Sequence, residues 1–374
     1  MTPVRVLTVV GTRPEAIKMA PVVRELRSRG RAVRVTICST GQHREMLAQA
    51  FDLFGLQPDR DLAVMEPDQS LAGLTARLLV ELDRTIGELR PDWLLAQGDT
   101  TTVMAASLAA FYRGVRFGHV EAGLRTGDLG SPFPEEMNRR VADLLAHLYF
   151  APTARARDAL LAEGVPAERV LLTGNTVVDA LLDVSGRPFD WSGSPLAAIP
   201  EDAPMVLVTA HRRESFGQPF ANLCRALRDL AIGFAARGVH FVYPVHLNPN
   251  VQAPARAILG GLDNLHLLPP LDYLSLVNVM KRSLLILTDS GGIQEEAPGL
   301  RVPVLVMRET TERPEGVEAG VVRLVGTDRE TIVREASRLL ADESARAAMR
   351  TEENPYGDGR AAKRIVDALL EHTR

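Results

Sequence analysis

Hydrophobic residues in this chain fall into short unbroken runs, separated by stretches in which they recur every three or four positions. VRVLTVV (4–10) has strand length, and the apolar positions Ile17, Ala20, Val23 and Leu26 predict a helix that ends at Gly30. The alternation continues with VRVTICS (33–39), a helix over about 43–54, and a longer helix over about 71–90 that stops at Pro91. WLLAQ (93–97) and RFGHV (116–120) are the next strands, with the helical stretch TTTVMAASLAAFYR between them. The series runs on to RVLLTG (169–174). Strands that are apolar throughout, each followed by a helix, belong to a parallel sheet covered on both faces.

Between 185 and 204 the pattern breaks. SGRPFDWSGSPLAAIPEDAP is rich in Gly, Ser and Pro and has no period, so it reads as a flexible linker. Strand-length runs then resume at MVLVTA (205–210), VHFVYPV (239–245), NLHLL (264–268), SLLILTD (283–289), PVLVM (303–307) and VVRLVG (321–326). The expected fold class is α/β, with two Rossmann-like doubly wound domains, 1–175 and 176–358, facing each other across a cleft. A last helix is expected over about 359–372, after PYGDG.

The length of 374 residues suits two domains, and 46% hydrophobic with 24% charged residues is ordinary for a globular chain. A net charge of -4 argues against a nucleic-acid or anionic-membrane surface. The apolar run at 6–10 is broken at once by GTRPE, too soon for a signal peptide, and no run reaches the length of a membrane span. The expected location is cytoplasmic. Cys38 and Cys224 sit in apolar surroundings far apart in sequence and read as reduced core residues rather than a disulfide or metal site.

In such sheets ligands bind beyond the carboxyl ends of the strands. The polar, glycine-marked stretches fall there: GTRPE, TGQHRE (40–45), QGDTTT (97–102) and EAGLRTGD (121–128), then AHRRE (210–214), PVHLNPN (244–250), TDSGG (288–292) and RETTERPEG (308–316). Ser290, Gly291 and Gly292 lead into a helix, where backbone N–H groups can approach an anion. Glu296 lies one to two turns further, able to accept from hydroxyls, and Arg313 can neutralise phosphate. Asp99 also reads as a plain helix N-cap. Glu121 ends a buried strand and needs a partner or a shifted ionisation. Glu135 and Glu136 follow Pro134 at a helix start, where acids suit the dipole, as does Glu15 after Pro14. His211, beside Arg212 and Arg213, reads locally as structural. VGTRPEAIKMAP (10–21) has one glycine where a dinucleotide fingerprint has three, so no NAD loop is expected.

GTRPEAIKMAP, QHREM, GDTTT, HVEAGLRTGD, PEE, AHRRESFG, YPVHLNPN, TDSGGIQEEAP, TTERPE and NPYGDG occur in that order along essentially the whole chain. Together they resemble the non-hydrolysing UDP-N-acetylglucosamine 2-epimerases of bacteria. The resemblance implies a glycosyltransferase-B-like fold, with the C-terminal helix (359–374) crossing back to the first domain, and a homodimer. It implies Arg13 and Lys18 as nucleotide-sugar contacts, Asp99, Glu121 and Glu135 as catalytic carboxylates, and His211 as an active-site histidine. It also implies Ser290, Gly291 and Gly292 as the diphosphate loop, Glu296 as the ribose acid and Arg313 as a further UDP contact. The family pattern has a glutamine and a phenylalanine near the uracil where this chain has Leu271 and Leu276, so a more aliphatic pocket is expected. Gln42, Gln69, Arg212 and His246 resemble part of a second, activating UDP-N-acetylglucosamine site. Neither metal nor cofactor is expected.

The implied reaction interconverts UDP-N-acetylglucosamine and UDP-N-acetylmannosamine, for cell-surface polysaccharide synthesis. The proton on carbon 2 has no neighbouring carbonyl, so two bases alone would not remove it. Breaking the bond from carbon 1 to the UDP oxygen acidifies that proton, and elimination gives 2-acetamidoglucal and UDP. Re-addition with protonation on the opposite face gives the epimer. A glycosyltransferase, or a sensor that binds the nucleotide sugar unchanged, would share the fold, and fold alone does not separate them.

Overall fold

The structure is a computed structural model that describes residues 2–41, 44–66, 69–351 and 353–373, with side chains left out at 44–46. The chain divides into two compact units, Met1–Ala180 with Tyr356–Arg374, and Leu181–Pro355.

The first unit runs β1 (Val4–Val10), α1 (Arg13–Ser28), β2 (Val33–Ser39), α2 (Arg44–Leu53), β3 (Arg60–Asp61), α3 (Leu71–Leu89), β4 (Trp93–Gln97), α4 (Thr101–Tyr112), β5 (Arg116–Val120), α5 (Glu135–Leu145), β6 (Leu148–Ala151), α6 (Ala154–Ala162) and β7 (Val170–Leu172). Its seven strands are parallel, in the order β3-β2-β1-β4-β5-β6-β7. The apolar runs of β1, β4 and β5 place Leu7, Leu94 and Phe117 in a core closed on one face by Leu78, Leu82 and Val103 of α3 and α4.

Helix α7 (Thr176–Ser185) carries the boundary between the units, at Ala180, five residues beyond the expected division after 175. The second unit continues with β8 (Met205–Thr209), α8 (Gln218–Phe234), β9 (His240–Pro244), α9 (Pro249–Leu259), β10 (Leu265–Leu268), α10 (Tyr273–Arg282), β11 (Ser283–Thr288), α11 (Gly291–Glu296), β12 (Val304–Val306), α12 (Pro314–Glu318), β13 (Val322–Leu324), α13 (Arg329–Ala341) and α14 (Glu343–Ala347). Its sheet is parallel, in the order β10-β9-β8-β11-β12-β13. Counted from its own first strand this is 3-2-1-4-5-6, the doubly wound Rossmann order. Both units are therefore Rossmann-like, and chain order reverses between β1 and β4 in one and between β8 and β11 in the other.

The stretch 185–204, expected as a linker, is packed within the second unit. Trp191, Leu196 and Ile199 are buried, the Trp191 indole N–H donates to the Ile199 carbonyl at 2.8 Å, and the Arg282 guanidinium lies over the Trp191 ring. Three buried apolar side chains outweigh the Gly and Pro content that suggested disorder.

The last helix, α15 (Ala361–Glu371), belongs to the first unit. The Asp179 carboxylate accepts from its first N–H groups, Ala361 and Ala362, and Arg29, just past α1, reaches Asp367 at 2.7 Å. Trp93 of β4 donates to Thr373 just beyond the helix. Cys38 and Cys224 are buried, and burial pushes both thiols up to about 12. Among the described residues no helix is long and apolar enough to cross a membrane.

Candidate functional site

In the first unit the chemistry gathers where β4 and β5 end. Asp99 is not the cap of α4: Thr100 takes that role, its hydroxyl accepting from the Val103 N–H. The Asp99 carboxylate instead pairs with Arg139 of α5, and its backbone carbonyl accepts from Asn138 Nδ2 at 2.9 Å. Glu121 is buried, 8% exposed, in a left-handed backbone conformation with φ 68°. One of its carboxylate oxygens accepts from both Lys18 Nζ and Gln97 Nε2, each at 2.6 Å. Lys18 is the buried counter-ion of Glu121.

Glu135 and Glu136 separate sharply. Glu135 opens α5, is half-exposed, and has no hydrogen bond or ion pair among the described residues. Glu136 is fully buried, bound to Arg139 at 3.0 Å, Arg140 at 3.2 Å and the Thr126 N–H at 3.1 Å. Glu136 therefore does more than suit the dipole of α5. It fixes α5, and with it the Arg139 side chain that holds Asp99.

Glu15 lies in the first turn of α1, as expected, and is buried. Thr12 caps α1 and Glu15 closes a capping box, so Arg13 takes the first helical position and Pro14 the second. The Glu15 carboxylate accepts from the Gly11 and Thr12 N–H groups. Burial raises its pKa to about 7, against hydrogen bonds from Thr100, Gly11 and Thr12, and the Asp99 charge adds to the rise. Arg13 is half-buried.

Sequence reasoning missed His119. The ring is completely buried in β5, with Nδ1 2.6 Å from Asp143 Oδ1 and Nε2 2.7 Å from the Gly98 carbonyl oxygen. Burial opposes charge on the ring, but the Asp143 carboxylate and the Gly98 carbonyl outweigh it and raise the pKa. Asp143 is held low because His119 and Arg125 offset its burial. A histidine inside an otherwise apolar buried strand was the available signal.

In the second unit the polar residues flank β8 and β11. Asp289, missed as a functional residue, is buried and turns the chain after β8: one oxygen accepts from the His211 and Arg212 N–H groups at 2.7 and 2.8 Å. Its other oxygen makes no hydrogen bond and lies 3.8 Å from His211 Nδ1. Burial lowers the His211 pKa; the Asp289 charge opposes this, while His246 and Arg212 add to it. The His211 ring stacks on His246, 5.1 Å between centroids. Burial thus favours the neutral ring.

Ser290 precedes α11 without a side-chain cap bond, and Gly291 and Gly292 are its first residues. Arg313 lies directly over this start: a Cβ on Gly291 would stand 3.3 Å from its Cζ. Glu295 holds Arg313 at 2.8 Å. Arg308, another residue the sequence did not single out, is buried and binds Glu214 at 2.6 Å and both oxygens of Glu312. Burial works against the charge of Glu312, but Arg308 outweighs it and holds the carboxyl down at about 2. Glu296 is buried and accepts from the Tyr273 hydroxyl at 3.1 Å. Leu271 is buried and Leu276 half-buried.

Of the residues attributed to a second nucleotide-sugar site, Gln42 lies outside the described residues. Gln69 is turned to Arg77 and the Glu66 N–H, Arg212 is half-buried, and His246 is exposed against His211. Gln69 stands in the first unit, Arg212 and His246 in the second.

Carboxylates at strand ends in one Rossmann-like unit, and a glycine loop beneath an arginine in the other, define a two-domain enzyme of the glycosyltransferase-B-like class. The family model described as UDP-N-acetylglucosamine 2-epimerase matches residues 24–370. The chain is 54% identical over 371 residues to the UDP-N-acetylglucosamine 2-epimerase of Escherichia coli K12, covering 98% of each. Among solved structures it is similar to the Neisseria meningitidis UDP-GlcNAc 2-epimerase bound to UDP-GlcNAc, with TM-score 0.90, 45% identity and coverage of 98% of this chain and 100% of that one. The Methanocaldococcus jannaschii UDP-GlcNAc 2-epimerase, in complex with UDP-GlcNAc and UDP, aligns with TM-score 0.81 and 30% identity over 98% of this chain and 99% of that one. The chain belongs to the UDP-N-acetylglucosamine 2-epimerase family, whose members are isomerases.

Proposed function

We propose that this chain interconverts UDP-N-acetylglucosamine and UDP-N-acetylmannosamine without net hydrolysis, by eliminating and re-adding UDP. The observation that carries the reading is the gathering of Asp99, Glu121 and the start of α5 at the ends of β4 and β5, in a unit without a three-glycine cofactor loop. Two relatives with solved structures carry UDP-GlcNAc, which supports the substrate.

The bond from carbon 1 to the UDP oxygen breaks, and a carboxylate takes the proton from carbon 2. This leaves 2-acetamidoglucal and UDP. Return of a proton to the opposite face of carbon 2, with attack of the UDP oxygen on carbon 1, forms the epimer. Two faces need two groups, and Asp99, Glu121 and Glu135 supply them as a coupled set. The departing diphosphate gains charge, which Arg13, Arg313 and the N–H groups of Gly291 and Gly292 stabilise, with Ser290 beside them. Growing negative charge beside His211 favours protonation of its ring, reversing the effect of burial. Glu296 accepts from ribose hydroxyls, and Leu271 and Leu276 pack against the uracil. Gln42, Gln69, Arg212 and His246 belong to an activating site for a second nucleotide sugar. The product feeds cell-surface polysaccharide synthesis in the cytoplasm.

We also propose a homodimer, which the family resemblance implies; Val80, Phe111, Tyr112 and Leu144, exposed on α3, α4 and α5, helices that pack side by side, are apolar side chains that a partner subunit would cover.

The test is incubation with UDP-N-acetylglucosamine alone in D2O, followed by proton NMR. The expected result is an epimer mixture with deuterium at carbon 2. Epimer with its original proton there would refute the elimination, and no isomerisation at all would refute the function.

A further inference from the structure

His119 touches no solvent, so it does not meet a substrate, yet it stands between α5 and the turn that carries Asp99. Both oxygens facing its ring are acceptors only: a carboxylate held ionised by its surroundings and a backbone carbonyl. A neutral imidazole has one N–H. Whichever nitrogen lacked it would set a lone pair against an oxygen at 2.6 or 2.7 Å. Only the doubly protonated ring satisfies both neighbours.

The charges around the ring support that state. Asp143 of α5 supplies the negative partner and also accepts from the Gly123 N–H at 3.2 Å. Arg125 binds the other oxygen of Asp143 at 2.7 Å, and Glu163, just past α6, balances Arg125 at 2.7 Å. Phe117 stacks on the ring from the same strand, and Tyr149 of β6 lies close enough to feel the Asp143 charge.

What the ring holds is the more telling part. Gly98 has φ 89°, a conformation with few intrinsic constraints, and Asp99 follows it directly. The Gly98 N–H is tied to the Val120 carbonyl at 3.0 Å, the Asp99 carbonyl to Asn138 and the Asp99 carboxylate to Arg139. The Gly98 carbonyl is tied by His119. Asn138, Arg139 and Asp143 all lie on α5, so one helix fixes the turn directly through two residues and indirectly through the imidazole.

We propose that His119 is a positioning residue, a buried imidazolium that clamps the Gly98 carbonyl and thereby sets the placement of Asp99. The proposal rests on the reading of Asp99 as a catalytic carboxylate.

Two measurements test it. In enzyme labelled with 13C,15N-histidine, the His119 ring, assigned in the wild-type spectrum through correlation to its own backbone amide, is expected to carry protons on both nitrogens at pH 7 to 8. A bare nitrogen there overturns the proposal, and this holds even if the variant does not fold, because the wild-type spectrum decides. In His119→Gln the amide can donate to only one neighbour. Turnover is expected to fall about 10- to 100-fold, as for small misplacements of a reacting group, with KM changed less than about threefold. Wild-type kcat in His119→Gln alongside a crippled Asp99→Asn overturns the clamp and leaves the role of Asp99 standing. Wild-type kcat in Asp99→Asn overturns that role itself, whatever the ring's protonation.

Discussion

Replacing Glu15 by glutamine is expected to stabilise the first unit above neutral pH and to change it little in acid. The carboxyl titrates at an ordinary 4.5 when unfolded and at about 7 when folded, because burial disfavours its charge. Between those values the folded chain keeps a proton that the unfolded chain has released, so stability falls as pH rises through the window and levels off above about 7. The shift corresponds to about 3 kcal/mol, at about 1.4 kcal/mol per unit. Glutamine keeps an acceptor oxygen for the Gly11 and Thr12 N–H groups but has no charge to desolvate. Urea unfolding of both proteins from pH 5 to 8, in a Trp191→Phe background so that fluorescence reports Trp93 of the first unit, measures the difference. The curves should lie within about 1 kcal/mol of each other near pH 5 and separate by about 3 kcal/mol near pH 8. Parallel curves across the range would refute the assignment of a raised pKa to Glu15.

Lys18→Met is expected to lower stability by about 3–5 kcal/mol, because it leaves Glu121 buried without its cation, and Lys18→Met with Glu121→Gln should recover part of that loss in a thermal melt without recovering turnover. A Lys18→Met protein that melts like wild type and only shows a raised KM would restore the simpler view of Lys18 as a substrate contact. Tyr112→Asp is expected to shift the sedimentation coefficient from dimer to monomer, and a monomeric wild-type protein at micromolar concentration would rule out the dimer.

The sheets were legible because their strands are unbroken apolar runs, and the doubly wound order follows from strand-helix alternation. The pairings across the sheet were not. Lys18 and Glu121 are 103 residues apart, and nothing local to either announces the other. Glu135 and Glu136 are chemically identical neighbours, and only the rotation of α5 decides which one meets Arg139. Asp99 looked like a cap because Asp is a good one, but Thr100, one residue later, has the geometry. The segment 185–204 misled because Gly and Pro dominated its composition while Trp191, Leu196 and Ile199 decided its packing. His119 was passed over because a strand interior suggests packing, and its charged partner enters from a helix 24 residues away.

The left-handed backbone at Glu121 has an evolutionary consequence. A side chain in that region carries roughly 1–3 kcal/mol of strain that glycine would not. Glycine at position 121 alone would relieve that strain but leave Lys18 buried without its anion, so the fold constrains the two positions together. A paralogue that loses the reaction should therefore lose Lys18 and Glu121 together, and gain stability as it does.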